Sequence, residues 1–199
     1  MIISIYCSGS IQKGPTDNSK LCWSETEKKI LTDALCPIET RFLNPDDPLM
    51  SASDTRALFG RDLYQVQIAD FVVVDARERR GIGIGIEMLA SRMLGTPLIV
   101  VAPANTHYRK DELTYRGATV NNYIHPHLHN LADAVVDSFD CAGSWIKEYL
   151  DSPTGVKNSN VLHDAIEAYR LNLLPIDDPM LHIHRELEKL RKVDPVVSF

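Results

Sequence analysis

A chain of 199 residues, of which 44% are hydrophobic, can bury one substantial core, so we expect one domain with an appendage. The net charge of −6 argues against a nucleic-acid backbone as a partner, although local donors could still hold a small anion. The four cysteines form no CxxC pair, no apolar run is long enough to span a bilayer, and the N-terminus lacks a secretory pattern, so we expect a soluble, cytoplasmic protein with reduced thiols.

The first third of the chain predicts a strand, a turn, a helix and a second strand. Residues 2–7 form a short apolar strand, and a turn rich in glycine and serine follows at 8–14. Backbone N–H groups of such a turn can bind a phosphate, to which Lys13 could add positive charge. An ordinary connection between strand and helix is the alternative, because no P-loop motif is present. A helix is expected over 19–35 and a strand over 37–43.

The centre of the chain predicts two buried parallel strands with a helix between them. The runs 71–74 and 98–101 are continuously apolar, which is typical of strands covered on both faces. A glycine-rich turn at 81–87 opens the helical pattern between them, so the three elements form a βαβ unit. Ligands of open parallel sheets bind at the carboxyl ends of the strands, and this turn lies there.

Glu87 is the residue of most interest in this unit. Gly81, Gly83 and Gly85 bring the backbone close to a ligand, and Glu87 follows where we expect the helix to begin. A carboxylate in a first helical turn is favoured by the helix dipole, so it should stay ionised near neutral pH. An ionised, oriented carboxylate can attack an electrophilic carbon. The alternative interpretation is a solvent-facing charge at a helix N-terminus.

Asp62 lies beside the apolar face of a helix expected over 54–69. A carboxylate at such an edge is most often paired with an arginine, here Arg61 or a neighbour, so taken alone Asp62 would be structural. A chemical role for Asp62 therefore depends on other groups at the same edge of the sheet.

The last part of the chain predicts a polar excursion, a final strand and helices. Residues 102–119 have no clear period, 121–124 are a candidate last strand, and 130–150 have the apolar spacing of a long amphipathic helix. A polar linker then precedes two helical patterns at 161–174 and 179–192. Their apolar stripes should pack on the core or on a second subunit.

Three histidines between these segments raise the question of a metal site. His125, His127 and His129 would share one face of a strand, but Pro126 interrupts the run and no carboxylate or cysteine is close by in sequence. A polar loop is therefore the preferred interpretation, and no metal is expected.

Three stretches in the first three quarters of the chain together resemble the nucleoside 2-deoxyribosyltransferase superfamily, which includes the 2′-deoxynucleoside 5′-monophosphate N-hydrolases. The first is IYCSGS at residues 5–10, at the end of the first strand. The second is RDL at 61–63 with IAD at 68–70, and the third is GIGIE at 83–87. The order and spacing of the three carry the resemblance, because the last string alone is a weak signal.

The resemblance implies a role for each matching residue. Glu87 would attack the anomeric carbon and form a covalent glycosyl intermediate, Tyr6 would orient this glutamate, and Asp62 would lie near the departing base as proton donor or anchor. The turn 8–14 would bind the 5′-phosphate, as in the hydrolases, and Asn121 falls near the position from which the transferases donate a polar side chain into a neighbouring subunit's site. The substrate-binding residues implied in this way are Ser8, Gly9, Ser10, Ile11, Lys13, Gly81, Gly83, Gly85 and Asn121.

One position departs from both branches of the family. Six residues before the glutamate, the transferases carry an aspartate that helps to read the base, and the hydrolases carry a serine that contacts the phosphate. This chain has Gly81 there. Arg79, Arg80 or Lys13 could supply a different anion contact.

The residues and the resemblance together predict a hydrolase that cleaves the N-glycosidic bond of a nucleoside 5′-monophosphate, deoxy or modified, to a free base and a sugar phosphate. Cleavage builds positive charge on the sugar and needs a proton for the leaving base, so Glu87 and Asp62 supply the two carboxylates that the reaction requires. One alternative is a nucleoside 2-deoxyribosyltransferase that exchanges bases. Another is a nucleotide-binding or regulatory protein without turnover.

The predicted fold is a doubly wound, flavodoxin- or Rossmann-like α/β domain over residues 1–151, with about five parallel strands. A helical extension over 152–199 would serve packing or oligomerisation. The expected partners are a small-molecule nucleotide or nucleoside and further copies of the chain, in a homodimer or larger homo-oligomer. No cofactor, nucleic-acid polymer or membrane is expected.

Overall fold

The computed structural model of the chain describes residues 1–11, 21–45 and 53–193. The chain divides into two compact units, Met1–Ser159 and Asn160–Phe199. None of the described helices is long and apolar enough to cross a membrane. In chain order the elements are β1 (Ile2–Ser8), α1 (Glu25–Leu35), β2 (Glu39–Leu43), α2 (Thr55–Ile68), β3 (Phe71–Asp75), α3 (Ile82–Leu94), β4 (Leu98–Val101), β5 (Arg109–Tyr115), β6 (Ala118–Ile124), α4 (Pro126–Leu131), β7 (Ala134–Val136), α5 (Phe139–Asp151), α6 (Val161–Asn172), a 3-10 helix (Leu174–Ile176) and α7 (Asp178–Val193).

The first unit is built on a five-stranded parallel sheet with the strand order β2-β1-β3-β4-β7. Strands β3 and β4 are buried at every position, as their continuous apolar runs predict for strands covered on both faces. The predicted α/β fold with about five parallel strands is therefore confirmed.

Helices cover both faces of the sheet, which makes it doubly wound. On one face, Leu31 of α1 and Ile146 of α5 belong to a core that includes side chains of β1, β3 and β4. On the other face, Val66 of α2 and Ile84 and Met88 of α3 form the second core layer. In this architecture ligands bind at the carboxyl ends of the strands.

A two-stranded sheet occupies the region that was expected to be an irregular excursion. Residues 102–119 contain β5, which pairs antiparallel with β6. The candidate last strand at 121–124 is part of this hairpin instead of the main sheet. The expectation for this region was wrong because most side chains of the hairpin are exposed, so no apolar alternation marks its strands.

The expectation of one long helix over 130–150 is also wrong, because a strand interrupts this segment. Residues 134–136 form β7, the edge strand beside β4, and α5 begins at Phe139. Ser138 is the N-cap of α5, because its hydroxyl accepts a hydrogen bond from the backbone N–H of Cys141 at 3.1 Å. The histidine segment, expected to be a loop, forms α4, with Pro126 at its first position.

The second unit contains α6, the 3-10 helix and α7, in agreement with the two helical patterns of the sequence. Tyr169 of α6 donates a hydrogen bond from its hydroxyl to Asp177 at 2.7 Å, which ties α6 to the residue before α7. One face of α7 carries an exposed apolar stripe made of Met180, Ile183, Leu187 and Leu190.

We predict that close packing between α1 and α5 depends on Gly143. A Cβ atom at this position would lie 2.6 Å from the Cβ atom of Ala34. We expect Gly143→Ala to lower the free energy of unfolding by about 1–3 kcal/mol, because overpacking exceeds the gain in helix propensity. Gly60 of α2 is the matched control, since a Cβ atom there meets nothing within 4 Å. Gly60→Ala should raise stability by about 0.5–1 kcal/mol in the same urea titration, and a stabilised Gly143→Ala protein would contradict the packing.

Candidate active site

The carboxyl ends of β1 and β3 meet the start of α3 at one edge of the sheet. Ser8, the last residue of β1, pairs in register with Val74 of β3, so the carboxyl ends of the two strands are neighbours. Tyr6 and Ser8 come from β1, and Glu87 comes from α3. The parallel register therefore brings two hydroxyl groups of the first strand to the carboxylate of a distant helix.

Glu87 is buried, with 8% of its surface exposed. Helix α3 begins at Ile82, so Glu87 lies in the second turn, and the expectation of a first-turn carboxylate was wrong. The reason is that Gly83 and Gly85 are part of the helix, although glycine disfavours helix interiors. The dipole argument for a permanently ionised Glu87 therefore loses its basis.

Burial raises the pKa of Glu87 above its ordinary value, and the negative charge of Asp62 acts in the same direction. Hydrogen bonding from Ser8 and Tyr6 opposes this rise. The Ser8 hydroxyl donates to Oε2 of Glu87 at 2.5 Å. Glu87 is thus a desolvated carboxylate whose ionised form depends on neutral donors, which is typical of functional carboxylates.

Tyr6 is completely buried and stays neutral. Burial, followed by the charges of Glu87 and Asp62, raises the pKa of the Tyr6 hydroxyl above its ordinary value. The hydroxyl lies near enough to Glu87 to lower the pKa of that carboxyl group. Its geometry does not amount to a hydrogen bond, and it has no other hydrogen-bond partner among the described residues. We therefore describe Tyr6 as a neutral donor close to Glu87 and not as its fixed partner.

Asp62 lies on α2 and is half-buried. Burial raises the pKa of its carboxyl group, and the positive charge of Arg61 opposes the rise. A raised pKa increases the fraction of Asp62 that carries a proton, which suits a proton donor.

A cavity of about 400 Å³ brings most of the predicted residues together, and we call it the carboxylate cavity. This volume falls in the range of small-molecule sites. A Cβ atom added at Gly81 would meet nothing within 4 Å, so the backbone at the start of α3 borders open space. The predicted residues that line the cavity are Gly9, Ser10, Ile11, Asp62, Gly81, Gly83 and Glu87.

The other predicted residues lie elsewhere. Tyr6 and Ser8 are buried and do not line the carboxylate cavity. Gly85 lines a neighbouring cavity, and Asn121 is exposed on β6 and lines neither of the two. Lys13 lies outside the described residues.

The side chain of Trp23 leaves no room for a Cβ atom at Gly9. A Cβ atom at position 9 would lie 2.7 Å from Cδ1 of Trp23. The indole N–H of Trp23 donates to the carbonyl oxygen of Ser8 at 2.9 Å. The tryptophan thereby supports the backbone of the turn that borders the carboxylate cavity.

A buried ionic group that the sequence patterns did not single out lies next to this cavity. Asp75, the last residue of β3, is fully buried, and Nη2 of Arg80 lies 2.7 Å from its Oδ2. Nε of Arg77 lies 2.9 Å from Oδ1 of Asp75, and Nη1 of Arg77 lies 2.9 Å from Glu27 of α1. The sequence signal was an aspartate at the end of a buried strand, followed by several arginines.

Arg80 connects three segments around the site. Its Nη1 donates to the Ser10 hydroxyl and to the Leu21 carbonyl oxygen, both at 2.9 Å. Its backbone N–H donates to the Tyr108 hydroxyl at 2.8 Å. Because the Arg80 guanidinium is buried and ion-paired with Asp75, exposed Arg79, which also lines the cavity, is the better candidate for an anion contact.

The described residues include no group of three or more histidine, cysteine, aspartate or glutamate side chains that could hold a metal ion.

Comparison with known proteins gives a likeness to solved structures. No family model matches the chain, and no curated protein is a significant match. Among solved structures, the chain is similar to a 2-desoxiribosyltransferase from Leishmania mexicana, with a TM-score of 0.51 and 16% sequence identity. The alignment covers 76% of this chain and 99% of that chain. The likeness establishes the fold.

We predict that Arg80 cannot be replaced by lysine without loss of stability. Arg80→Lys should lower the free energy of unfolding by about 2–4 kcal/mol, because an ammonium group cannot hold Asp75, Ser10 and Leu21 together. Arg79→Lys is the matched control on an exposed neighbour and should change stability by less than about 0.5 kcal/mol. Urea unfolding measures both, and equal effects would contradict the role of Arg80.

The raised pKa of Glu87 predicts a pH-dependent stability. The folded chain binds the Glu87 proton more tightly than the unfolded chain, so this stabilisation is present below the ordinary pKa of 4.5 and is lost as the pH rises through the folded-state pKa. Glu87→Gln should therefore raise the free energy of unfolding at pH 7, and the gain should shrink towards about pH 4. Urea titrations across this range test it, with Glu148→Gln on α5 as a control. A gain independent of pH would contradict the burial argument.

Proposed function

We propose that this chain is an N-glycosidase of the nucleoside 2-deoxyribosyltransferase superfamily, a hydrolase that releases the free base from a nucleoside 5′-monophosphate, deoxy or modified. The observation that carries the proposal is that Glu87 and Asp62 line one cavity of about 400 Å³. They are close enough for the charge of Asp62 to raise the pKa of Glu87. Both carboxyl groups have a raised pKa, but hydrogen bonding from Ser8 supports the ionised form of Glu87, whereas burial of Asp62 favours its protonated form. A nucleophilic carboxylate and a carboxylic acid form the pair that a two-step glycosidase needs.

In the first step, the ionised carboxylate of Glu87 attacks the anomeric carbon of the sugar, and a carboxyl–carbon bond forms as the bond to the base breaks. The electron pair of the breaking bond goes to the base nitrogen, and protonated Asp62 supplies a proton to the base. Ser8 and neutral Tyr6 stabilise the ionised form of Glu87 before the attack. Burial removes water from this carboxylate, which raises its reactivity towards a developing positive charge.

In the second step, a water molecule attacks the same carbon and displaces the carboxylate of Glu87. Ionised Asp62 accepts the proton of that water and returns to its starting state. The two displacements together give retention of configuration at the anomeric carbon. Because every proton and electron pair is accounted for by the two carboxylates and water, the reaction requires no cofactor.

The phosphate of the substrate would lie at the turn that follows β1. The Ser10 hydroxyl accepts a hydrogen bond from Arg80, which leaves its own proton to donate to an anion. Arg79 adds a positive charge at the wall of the cavity. These groups would replace the serine contact of the phosphate hydrolases, whose position is occupied here by Gly81.

A transferase is the second candidate, because the solved structure of similar fold is a 2-desoxiribosyltransferase. The two reactions share the first step and differ in whether water or a second base meets the intermediate. A third candidate is a nucleotide-binding or regulatory protein without turnover. It is supported by Gly81, which replaces the substrate-contacting side chain found in both branches of the family.

We also infer a homodimer or a larger homo-oligomer of this chain. The support is apolar surface that a soluble monomer rarely exposes, namely the α7 stripe and Ile82, Ile86 and Met93 of α3. The helical extension would then pack on a second subunit, and a strictly monomeric mass by sedimentation would contradict this inference.

The proposal is tested by incubating the purified protein with the common nucleosides and their 5′-monophosphates, ribo and deoxy, with and without an added free base. We expect free base from monophosphates alone. New nucleosides that appear only with an added base would establish the transferase. No product from any substrate would favour the binding protein.

The role of Glu87 is tested in the same assay with Glu87→Ala. We expect kcat to fall at least about a thousandfold, because the nucleophile is gone, while ligand binding measured by calorimetry persists. Glu148→Ala on α5 is the matched control and should keep full activity. Unchanged turnover in Glu87→Ala would contradict the assignment of the site.

A further inference from the structure

Apolar and aromatic residues of the second unit recur at a spacing of alternately four and three residues. The series begins in α6, continues through the 3-10 helix and ends in α7 without an interruption. The average spacing of 3.5 residues is the repeat of the a and d positions of a coiled coil, and it is sustained here over four heptads. The members of the series are Leu162, Ile166, Tyr169, Leu173, Ile176, Met180, Ile183, Leu187 and Leu190.

The α7 stripe, which is the last part of this series, is narrow. The e and g positions that border it carry the polar residues His184 and Glu186. A helix that packs on a sheet or on a broad core has a wider apolar face, which includes e or g positions. An a/d stripe with polar borders is instead the seam between two helices. The pattern therefore indicates that the α7 stripe packs against another helix.

That helix does not come from the described part of the second unit. Helices α6 and α7 each pack on the 3-10 helix between them and not on each other. Asp177 holds the start of α7, because its carboxylate accepts the Tyr169 hydroxyl at 2.7 Å and the backbone N–H of Met180 at 3.3 Å. The four side chains of the α7 stripe nevertheless remain 43–64% exposed. A second copy of the chain supplies a helix with an identical seam, and a two-fold axis brings the same stripe of both copies together.

The charges beside the α7 stripe favour a parallel pair of helices. In an antiparallel pair of identical helices the g positions face each other, so Glu186 would lie close to its own counterpart and the two charges would repel. In a parallel pair each g position faces an e position of the other helix. His184 would then face the uncharged Pro179, and the two Glu186 carboxylates would lie on opposite sides of the seam.

We infer that α7 forms a parallel coiled coil with α7 of a second copy of this chain, with residues 180, 183, 187 and 190 in the seam. The inference rests on the homo-oligomer proposed above and goes beyond it by assigning the helix that holds two copies together. The pairing involves neither the carboxylate cavity nor the exposed apolar residues of α3. Association through α7 and the chemistry of Glu87 are therefore separate properties of the chain.

The inference is tested by sedimentation equilibrium of the full chain over a range of protein concentrations. Ile183→Lys and Leu187→Lys each place an ammonium group in the seam, and lysine favours helix formation, so α7 itself should persist. Leu171→Lys is the matched control, because Leu171 is an exposed leucine of α6 outside the series. Circular dichroism confirms that each variant is folded, and either seam variant decides the test if the other does not fold.

We expect the wild-type chain to be a dimer or a larger assembly built from such dimers. The mass should halve in Ile183→Lys and in Leu187→Lys, because the dissociation constant of the pair rises at least about a hundredfold when a charge is buried in the seam. The mass of Leu171→Lys should equal that of the wild-type chain.

The parallel arrangement is tested by cross-linking. The d positions of a parallel pair face each other, whereas an antiparallel pair sets each d position opposite an a position. We expect mild oxidation to link two chains of Ile183→Cys. Arg185→Cys, which lies outside the seam, should give no more linkage than the wild-type chain, whose own cysteines set the background. The absence of a link in Ile183→Cys would overturn the parallel arrangement.

Two outcomes of the sedimentation experiment would overturn the inference. A folded seam variant that keeps the wild-type mass would do so and leave the homo-oligomer itself intact, with the α3 surface as its interface. A monomeric wild-type chain would overturn both the pairing and the homo-oligomer. Neither result decides whether a base is released from nucleoside monophosphates, which the turnover assay measures separately.

Discussion

The buried carboxylate of Asp75 is the constraint around which the edge of the sheet is arranged. A fully buried charge at the end of a central strand is tolerated only when it is paired and hydrogen-bonded. Arg80 and Arg77 meet that requirement and extend it outwards, the first to the turn after β1 and to Tyr108, the second to Glu27 of α1. The neutralisation of one aspartate thereby holds the segments that border both cavities.

Glu87 contrasts with Asp75 in how its charge is compensated. Asp75 faces two guanidinium groups, whereas Glu87 receives a hydrogen bond from Ser8, lies close to neutral Tyr6 and is repelled by Asp62. Burial of a carboxylate without a counter-ion costs stability, so this environment of Glu87 is not explained by a structural role. In the reaction that we propose, positive charge develops on the sugar, and Glu87 would gain its counter-charge only in the transition state.

The sequence was sufficient for the parts of the fold that apolar patterns specify. Continuous apolar runs identified β3 and β4, and the residues 9–11, Asp62, Gly83 and Glu87 that were predicted for the site do line one cavity. The sequence did not predict the hairpin of β5 and β6, because an exposed hairpin has no apolar alternation. It did not predict strand β7 either, because three residues are too few to show a period. The ion pair between Arg77 and Glu27 was also missed, since the two residues are fifty positions apart and meet only in the folded chain.

The two glycines inside the first turns of α3 border different cavities. Of the two cavities, Gly83 lines only the carboxylate cavity and Gly85 lines only the neighbouring one, although the two glycines are just two positions apart. Each has room for a side chain, since the nearest atom to an added Cβ lies 4.0 Å away at Gly83 and none lies within 4 Å at Gly85. Single replacements on one helical turn would therefore have different surroundings. A side chain at position 83 would come close to the Glu87 carboxylate, whereas one at position 85 would border the neighbouring cavity.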